Sequence, residues 1–228
     1  TVEDAGGSRI VEGSHLLVAV GRVANVRDLG LDAAGVDFTP RGIAVDARLR
    51  SSNKKIFAIG DVAGGYQFTH VAGYHAGIVI RNALFRLPAK ANHSAVPWVT
   101  YSDPELANVG LTEAAAVKAG LAHTVLRLPF GEIDRARAER ATEGFIKAIV
   151  GPKGQVLGCG IVGPHAGELI LPWVFAVQGK LSIGDLASVI APYPTLSEIT
   201  KRVAGSWYTP RLFSPRTKWL VRFLSRFG

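Results

Sequence analysis

One tyrosine near the C-terminal end of the sequence is held between two prolines, in APYPTLSEITKR, residues 191–202. Proline fixes its own φ angle and restricts the residue before it, so Pro192 and Pro194 leave the backbone of Tyr193 little freedom. A phenol fixed in this way can donate a hydrogen bond or help to ligate a soft metal, although a pKa of about 10 makes it a poor base at neutral pH. Glu198 follows at the start of a helical pattern. The alternative interpretation is a proline-rich turn that carries an aromatic ring without any chemistry.

A second group of candidate residues lies in IFAIGDVAGG, which predicts a buried strand over 56–59 that runs into Gly60 and Asp61. Glycine lets the backbone approach a ligand closely, and a carboxylate at a strand end can accept hydrogen bonds from sugar or ribitol hydroxyls. The following segment, 68–85, predicts a helix with Thr69 as its N-cap, and its unpaired N–H groups would favour an anionic ring or phosphate. The alternative is an ordinary strand–turn–helix in which Asp61 caps its own turn.

The other patterns of the first half are strands and a boundary. HLLVAVGR, residues 15–22, predicts a buried strand, and RGIAVDARLR, residues 41–50, predicts a more exposed one. The polar, proline-containing segment 86–96 is typical of a domain boundary. The residues of the predicted helix that we expect to face inward are Ile78, Ala83 and Leu84.

Short strands predominate beyond this boundary. The predicted strands are VPWVTY, LANVGL, HTVLRLPF, GFIKAIV and VLGCGIVG. The segment 151–155 predicts a hairpin between the last two of them, and Thr112 and Gly120 are the expected start and stop of a small helix. Further helices are predicted for HAGELILPWVFAVQGK, for SIGDLASVI and after Pro194. This order favours an α+β domain with an antiparallel sheet.

Composition excludes several classes of protein. The chain has 228 residues, 48% of them hydrophobic and 19% charged, which is typical of a globular protein. It contains neither a run of eighteen apolar residues nor a charged-then-apolar leader, so we expect no membrane span and no signal peptide. A single cysteine, Cys159, fits a reducing, cytoplasmic compartment and is expected to be a small buried residue. The net charge of +8 is spread along the chain, and we expect no nucleic-acid partner.

Three motifs together carry a family resemblance. LLVAVGRVANV, IFAIGDVAGG and YPTLSEITKR, in this order and spacing, resemble the C-terminal half of the FAD-dependent pyridine nucleotide–disulfide oxidoreductases, the family of mercuric reductase and dihydrolipoamide dehydrogenase. The resemblance implies an α/β FAD/NAD-binding remnant followed by an α+β dimerisation domain with an antiparallel sheet and packed helices. The implied divisions are the end of the pyridine-nucleotide domain in 1–25, the C-terminal part of the FAD-binding domain in 26–92, the dimerisation domain in 93–214 and a basic amphipathic tail in 215–228.

The resemblance also implies a cofactor site. Asp61 would bind the FAD ribitol, and the stretch 67–70 would lie by the pyrimidine side of the flavin, chiefly through backbone N–H groups. NAD(P)H would be the partner cofactor of the whole enzyme. The sequence contains no G-x-G-x-x-G fingerprint at a predicted turn between a strand and a helix, and no cysteine pair, so we expect this chain to be an incomplete and, by itself, inactive portion of such an enzyme. The implied cofactor-binding residues are Gly60, Asp61, Gln67, Phe68, Thr69 and His70.

The same resemblance assigns Tyr193 and Glu198 as catalytic residues. The thiol-reducing members have a histidine at the position of Tyr193, which Glu198 would orient. Tyrosine here argues against dihydrolipoamide and glutathione as substrates and favours the mercuric reductase branch. That branch carries a C-terminal cysteine pair, whereas this sequence ends in FLSRFG. The substrate is therefore left open among another disulfide, a metal and a quinone-like acceptor, and Glu198 is either a partner of Tyr193 or an acid that favours its helix dipole. The resemblance also implies a cis Tyr193–Pro194 bond.

The resemblance implies a homodimer in which the C-terminal domain contributes its loop to the partner's active site. The apolar helix ELILPWVFAV, with Trp173 and Phe175, is the interface candidate, and a plain core helix is the alternative. The remaining histidines have no metal-ligand spacing, so we predict no resident metal site. A non-catalytic dimerisation module is the alternative to the oxidoreductase function.

The tail RTKWLVRFLSRFG, residues 216–228, lies outside the family pattern. Lys218, Arg222 and Arg226 share one helical face, and the aromatic and aliphatic residues occupy much of the rest. Such a basic amphipathic helix can lie on an anionic membrane surface, which predicts peripheral contact at the inner membrane face. Docking of the tail onto the body of the protein is the alternative, and a basic surface-binding protein acting through this tail is a further candidate function.

Overall fold

The computed structural model describes residues 1–227 and divides the chain into two compact units. The first is Thr1–Ala91 and the second begins at Asn92, so the division falls within the polar segment 86–96. Gly228, the last residue of the predicted tail, lies outside the described residues.

The first unit contains little regular structure and is built around one helix, α1, Thr69–Ala83. A 3₁₀ turn, Gly60–Ala63, precedes this helix. The unit also has two short antiparallel hairpins, which are β1, Val2–Asp4, with β2, Gly7–Arg9, and β3, Phe38–Thr39, with β4, Gly42–Ile43. Its small core consists of Ala24, Val26, Leu31, Val36, Ile43 and Ala58.

The predicted strand over 15–22 is wrong. The segment forms no strand, and its apolar side chains are exposed, Leu16 to 88% and Val20 to 93%. A strand that is apolar on both faces needs a neighbour on each edge and cover on each face. No other segment within residues 1–227 pairs with it. The predicted strand over 56–59 is likewise reduced to one bridge, between Phe57 and Arg50. The segment 41–50 contributes β4 to a hairpin and Arg50 to this bridge, and forms no longer strand.

Helix α1 is close to its predicted position but has a different cap and a different buried face. Phe68, in an extended conformation, is the N-cap, and Thr69 is already helical, so the prediction of Thr69 as the cap is wrong. The buried residues are Val71, His75 and Ile78, at the three- and four-residue spacing of one helical face. The prediction for Ile78 is confirmed. Ala83 and Leu84 are exposed, because Ala83 is about 140° around the axis from Ile78 and Leu84 follows the last helical residue.

The second unit contains the predicted antiparallel sheet. Its strand order is β5-β6-β9-β8-β7, and every neighbouring pair is antiparallel. The strands are β5, Trp98–Thr100; β6, Glu105–Gly110; β7, Thr124–Pro129; β8, Phe145–Val150; and β9, Val156–Gly163. The helices are α2, Glu113–Lys118; α3, Asp134–Ala138; α4, Ala166–Leu169; α5, Leu171–Gly179; α6, Ile183–Ser188; α7, Glu198–Ser206; α8, Thr209–Leu212; and α9, Pro215–Leu224. The predicted α+β class is confirmed.

Local signals in the second unit act as predicted. The Thr112 Oγ1 accepts a hydrogen bond from the Ala115 N–H at 3.2 Å, and Gly120 follows the helix with a φ of 65°. Strands β8 and β9 form the hairpin around 151–155. Cys159 is fully buried, and this burial raises the pKa of its thiol well above the usual value. These features depend on neighbours in the sequence or on simple alternation, which explains why patterns alone could place them.

One face of the sheet packs against the helices and forms the main core. Alternate residues of the strands point toward this core, as the pleat of a sheet requires. Helices α5 and α7 supply Trp173, Ile199 and Val203, all of which are fully buried. The strand residues in this core include Ala107, Val109, Ile146, Ala148, Cys159 and Ile161.

Trp173 belongs to this core and not to a subunit interface, which corrects half of the interface prediction. Its indole N–H donates to the Thr200 Oγ1 at 3.1 Å, and both side chains are buried. We expect Trp173→Ala to lower the free energy of unfolding by about 3–5 kcal/mol, because it leaves a cavity and an unpaired hydroxyl. Urea denaturation measures this change. Trp219→Ala, at a position that is 66% exposed, is the matched control and should shift the midpoint little. Equal effects of the two substitutions would contradict the core assignment.

Candidate functional site

The turn that carries Asp61 is fixed by its contact with α1. Gly60 has a φ of 65°, and a Cβ at this position would lie 2.9 Å from the Cβ of Ala72. Only glycine therefore allows the turn to approach the helix this closely. The Gly60 N–H donates to the Nδ1 of His75 at 3.1 Å, and the His75 side chain is only 3% exposed. His75 thus accepts through Nδ1, which requires a neutral ring with its proton on Nε2.

The Asp61 carboxylate is available to a ligand. Asp61 is exposed, and its carboxylate has no hydrogen-bond or ion-pair partner among residues 1–227. The turn is closed by the Gly64 N–H, which donates at 3.1 Å to the backbone carbonyl of Asp61 and not to its side chain. Asp61 therefore does not cap its own turn, which was the alternative interpretation of this motif. The backbone holds the residue, and its side chain is left to accept hydrogen bonds.

The N-terminus of α1 presents backbone donors close in sequence to Asp61. The Phe68 carbonyl accepts from the N–H groups of Val71 at 3.0 Å and Ala72 at 3.1 Å, which are the first hydrogen bonds of the helix. The N–H group of Thr69, the first helical residue, precedes these bonds and has no acceptor within the helix. It adds to the partial positive charge of a helix N-terminus. An anionic or electron-rich ring is the kind of group that such donors bind.

The residues 66–70 that lead into α1 are ordered by ring stacking and by one arginine. The rings of Tyr66 and Phe68 are stacked with centroids 6.3 Å apart, and those of Phe68 and His70 are stacked at 5.2 Å. The Gln67 carbonyl accepts a hydrogen bond from the guanidinium of Arg22. The structure therefore brings together the predicted residues 67–70 as one short, constrained segment.

The second group of candidate residues lies on an exposed loop of the second unit. Tyr193 is 68% exposed, and the Tyr193–Pro194 bond is cis, as predicted. The Thr195 hydroxyl donates to the Pro192 carbonyl at 2.7 Å and closes the loop around the tyrosine. The Tyr193 hydroxyl donates to the Oδ2 of Asp134 at 3.1 Å. The loop thus presents one aromatic ring whose oxygen is held by a carboxylate.

The electrostatics of this loop keep the phenol protonated. The hydrogen bond to Asp134 raises the pKa of Tyr193 above its ordinary value, and the negative charges of Asp134 and Glu198 raise it further. Glu198 is the half-buried first residue of α7, and no hydrogen bond joins it to Tyr193 within the described residues. At neutral pH Tyr193 is therefore a neutral hydroxyl and not a base. Glu198 acts on it through charge and also favours the dipole of its own helix.

Sequence patterns missed two residues of these arrangements. His75 was visible only as a histidine in register with Val71 and Ile78, the spacing of a buried helical face. Asp134 gave no signal, because 59 residues separate it from Tyr193 and an acid in the first turn of a helix is common.

The described part of the chain contains no cluster of three or more histidine, cysteine or acidic residues that could hold a metal ion. None of its helices is both long enough and apolar enough to cross a membrane.

Two family models match this chain. The model of the pyridine nucleotide-disulphide oxidoreductases matches residues 1–76, and the model of their dimerisation domain matches residues 96–204. Asp61 and the N-terminus of α1 lie in the first match, and the Tyr193 loop lies in the second. The two matches follow the order of the two units and together cover most of the sequence.

Individual proteins of this family are similar to the chain over most of its length. Mercuric reductase of Bacillus cereus is 40% identical over 199 residues, which are 86% of this chain and 32% of that protein. Dihydrolipoyl dehydrogenase of Bacillus subtilis is 36% identical over 206 residues, 90% of this chain and 44% of that protein. The crystal structure of LpdA from Mycobacterium tuberculosis superposes with a TM-score of 0.82 at 31% identity, covering 89% of this chain and 44% of that one.

The chain spans less than half the length of these relatives. Within that span, sequence and fold agree: the antiparallel sheet with its packed helices coincides with the dimerisation-domain match, and the turn and helix around Asp61 fall within the match that precedes it. On this evidence the chain belongs to the pyridine nucleotide-disulphide oxidoreductase family.

Proposed function

We propose that this chain is the C-terminal portion of an FAD-dependent, NAD(P)H-linked oxidoreductase of the mercuric reductase and dihydrolipoamide dehydrogenase type. Its part in that enzyme is to supply one side of the FAD site and the dimer interface. The observation that supports this most strongly is the exposed, unpartnered Asp61 carboxylate, held by its backbone in the segment that matches the family. A carboxylate with no protein partner is suited to accept hydrogen bonds from a bound polyol.

The residues around Asp61 fit the ribitol and pyrimidine parts of FAD. In this proposal Asp61 accepts from a ribitol hydroxyl, Gly60 permits the close approach of the turn, and 67–70 face the pyrimidine ring. The N–H groups at the start of α1 stabilise negative charge on that ring. Bound FAD would supply two-electron transfer between NAD(P)H and a substrate. The one G-x-G-x-x-G spacing in the sequence, GCGIVG at 158–163, lies within the antiparallel strand β9 and not at a turn between a strand and a helix, where a dinucleotide fingerprint is found. The sequence also has a single cysteine, so the activity is proposed for the whole enzyme and not for this chain alone.

Tyr193 is proposed to contact the substrate, and Glu198 to act on Tyr193 through its charge. A protonated phenol cannot serve as the proton-accepting base that thiol chemistry needs at neutral pH. This supports a substrate other than dihydrolipoamide or glutathione, among the classes of disulfides, metals and quinone-like acceptors. The buried thiol of Cys159 is not available for a disulfide exchange step.

Addition of FAD to the purified chain tests the cofactor proposal. We expect the flavin fluorescence to be quenched in a saturable manner as the chain is added. Unchanged fluorescence at high protein concentration would favour the alternative, a dimerisation module that keeps the fold without binding the cofactor.

Homodimer formation is proposed through α5, whose outward residues are apolar. Phe175 is 62% exposed and Leu171 is 54% exposed, while Trp173 on the same helix is buried. We expect Phe175→Asp to raise the dimer dissociation constant by about 100-fold or more, because a buried unpaired charge costs several kcal/mol. Sedimentation equilibrium measures the constant. Val117→Asp, at an exposed position of α2, is the control, and a dimer that tolerates both substitutions would rule out α5 as the interface.

Peripheral contact with an anionic membrane is a second candidate function, and the exposure of the tail favours it. From Tyr208 to Phe227 every residue is exposed except Ser214 and Thr217, which are half-buried. The tail therefore does not dock its apolar face onto the body of the second unit, which was the alternative. The segment from Thr209 onward contains five arginines and lysines and no acidic residue. This charge complements an anionic lipid surface.

A further inference from the structure

The Tyr193 side chain is oriented by a carboxylate from another part of the second unit. Its hydroxyl donates to the Oδ2 of Asp134 at 3.1 Å, and its ring is 68% exposed, so that core packing does not fix it. A hydroxyl has one proton to donate and two lone pairs that can accept. Once the proton is directed to Asp134, the lone pairs are what the Tyr193 oxygen offers to another molecule.

The segment that carries Asp134 is rigid enough to position a side chain. Phe130 and Ile133, which precede it, are fully buried. The guanidinium of Arg202, on α7, donates to the Glu132 carbonyl and lies 3.5 Å from the Glu132 carboxylate. The 3₁₀ turn Phe130–Glu132 is therefore anchored both to the core and to the helix that follows the Tyr193 loop.

A purely local role does not account for the Asp134 carboxylate. Asp134 is the first residue of α3, where an acid is favourable to the helix dipole. However, this helix has only five residues and no side-chain cap, and the carboxylate is used for the contact with Tyr193. The two residues are 59 positions apart in the sequence, so their hydrogen bond is a tertiary contact.

We propose that Asp134 is a positioning residue for Tyr193: it accepts the phenolic proton in a hydrogen bond and so turns the lone pairs of the phenol oxygen toward the substrate. This inference rests on the proposed function, in which Tyr193 contacts the substrate. It makes Tyr193 an acceptor or a ligand and not a donor. The substrate group that it suits is a cation or a proton donor, and an oxyanion is disfavoured.

The electrostatics of the loop agree with this geometry. The groups that raise the pKa of Tyr193 are Asp134 on α3, through its hydrogen bond and then its charge, and Glu198 on α7, through its charge alone. Loss of the Asp134 carboxylate should therefore make the phenol easier to deprotonate. Loss of the Glu198 carboxylate should also lower the pKa of Tyr193, but by less, because Glu198 makes no hydrogen bond to the phenol.

A titration of Tyr193 tests the proposal without flavin or substrate. The tyrosines are labelled with carbon-13 at Cζ, and each phenol is followed by its NMR signal as the pH is raised. The signal of Tyr193 is identified by its absence in Tyr193→Phe. We expect the titration midpoint of Tyr193 to move to lower pH in Asp134→Ala and in Asp134→Asn. The asparagine variant has nearly the same shape as aspartate and keeps the test valid if the alanine variant does not fold. The matched control is Glu139→Gln, which removes one negative charge next to the same helix, where Glu139 pairs with Arg135 and not with Tyr193.

An unshifted midpoint in both Asp134 variants would overturn the proposal, as would an equal shift in Glu139→Gln. A failure of the chain to bind FAD would count against the proposed function but would leave this titration unchanged. The two proposals can therefore fail separately.

Discussion

Replacement of Asp61 by asparagine or alanine is expected to weaken FAD binding by about 10- to 150-fold. The estimate follows from the loss of one hydrogen bond to a charged group, which contributes about 1.5–3 kcal/mol. The carboxylate is exposed and has no partner among residues 1–227, so its removal should not leave any protein group unsatisfied. The fold of the first unit should therefore be unchanged, and the loss should be confined to ligand binding.

The measurement is a titration of FAD fluorescence with each purified variant. Asp32→Asn is the matched control, because Asp32 is also an exposed aspartate of the first unit and the structure gives its carboxylate no part in the Gly60 turn. If Asp61→Asn and Asp32→Asn bind FAD as tightly as the unaltered chain, the ribitol assignment is wrong. If the unaltered chain binds and only the Asp61 variants lose affinity, the carboxylate is the contact that was proposed.

The elements of the second unit could be predicted from the sequence because they depend on contacts between residues that are close together in the sequence. Strands β8 and β9 are joined by a five-residue hairpin signal at 151–155, and Thr112 caps the helix that it begins. The alternation of Ile146 and Ala148 with outward residues gives the buried face of β8 directly. Each of these patterns can be satisfied within a few residues or by an adjacent strand.

The first unit was predicted less well because its patterns depend on distant partners. The runs over 15–22 and 56–59 have the composition of buried strands, but composition does not supply the neighbours that such strands require. The N-cap at Phe68 was missed because threonine is usually preferred at that position. In the structure Phe68 has the extended backbone of an N-cap, and Thr69 is already helical. The motif did indicate the turn at Gly60 and Asp61, which is local, while the role of these residues in cofactor binding stays a prediction.

Contacts that cross long stretches of sequence were beyond prediction at both candidate sites. His75 binds the N–H of Gly60 across 15 residues, and Asp134 binds Tyr193 across 59. Both partners are residue types with common structural roles, so nothing in the patterns distinguishes them from their neighbours. The structure adds these supporting residues to the ones that the motifs identify.

Deletion of residues 216–228 is expected to abolish binding to anionic vesicles. In the described part of the tail, three exposed rings follow one another at four-residue spacing, Trp219 and Phe223 on α9 and Phe227 just after its end. The rings of Trp219 and Phe223 are stacked at 5.7 Å, and those of Phe223 and Phe227 are edge-on at 5.1 Å. Exposed rings on a cationic helix can enter the boundary between headgroups and acyl chains, while the cations remain at the headgroups. Both contributions are lost on deletion.

Charge alone should account for a large share of this binding. Lys218→Gln combined with Arg222→Gln removes two cations from one helical face, at about 1 kcal/mol for each near an anionic surface. We therefore expect about a 30-fold weaker partition into phosphatidylglycerol vesicles, measured by co-sedimentation. Lys55→Gln combined with Lys153→Gln makes the same change in net charge at exposed positions elsewhere and is the control.

The lipid composition separates the membrane proposal from a simpler apolar association. Vesicles of phosphatidylcholine alone should bind the chain weakly, and added salt should weaken binding to anionic vesicles because it screens the charges. Binding that survives the deletion, or that the two pairs of substitutions weaken equally, would refute a role for the tail. If the deletion instead raised the dimer dissociation constant and left vesicle binding intact, the exposed rings of α9 would belong to a protein interface.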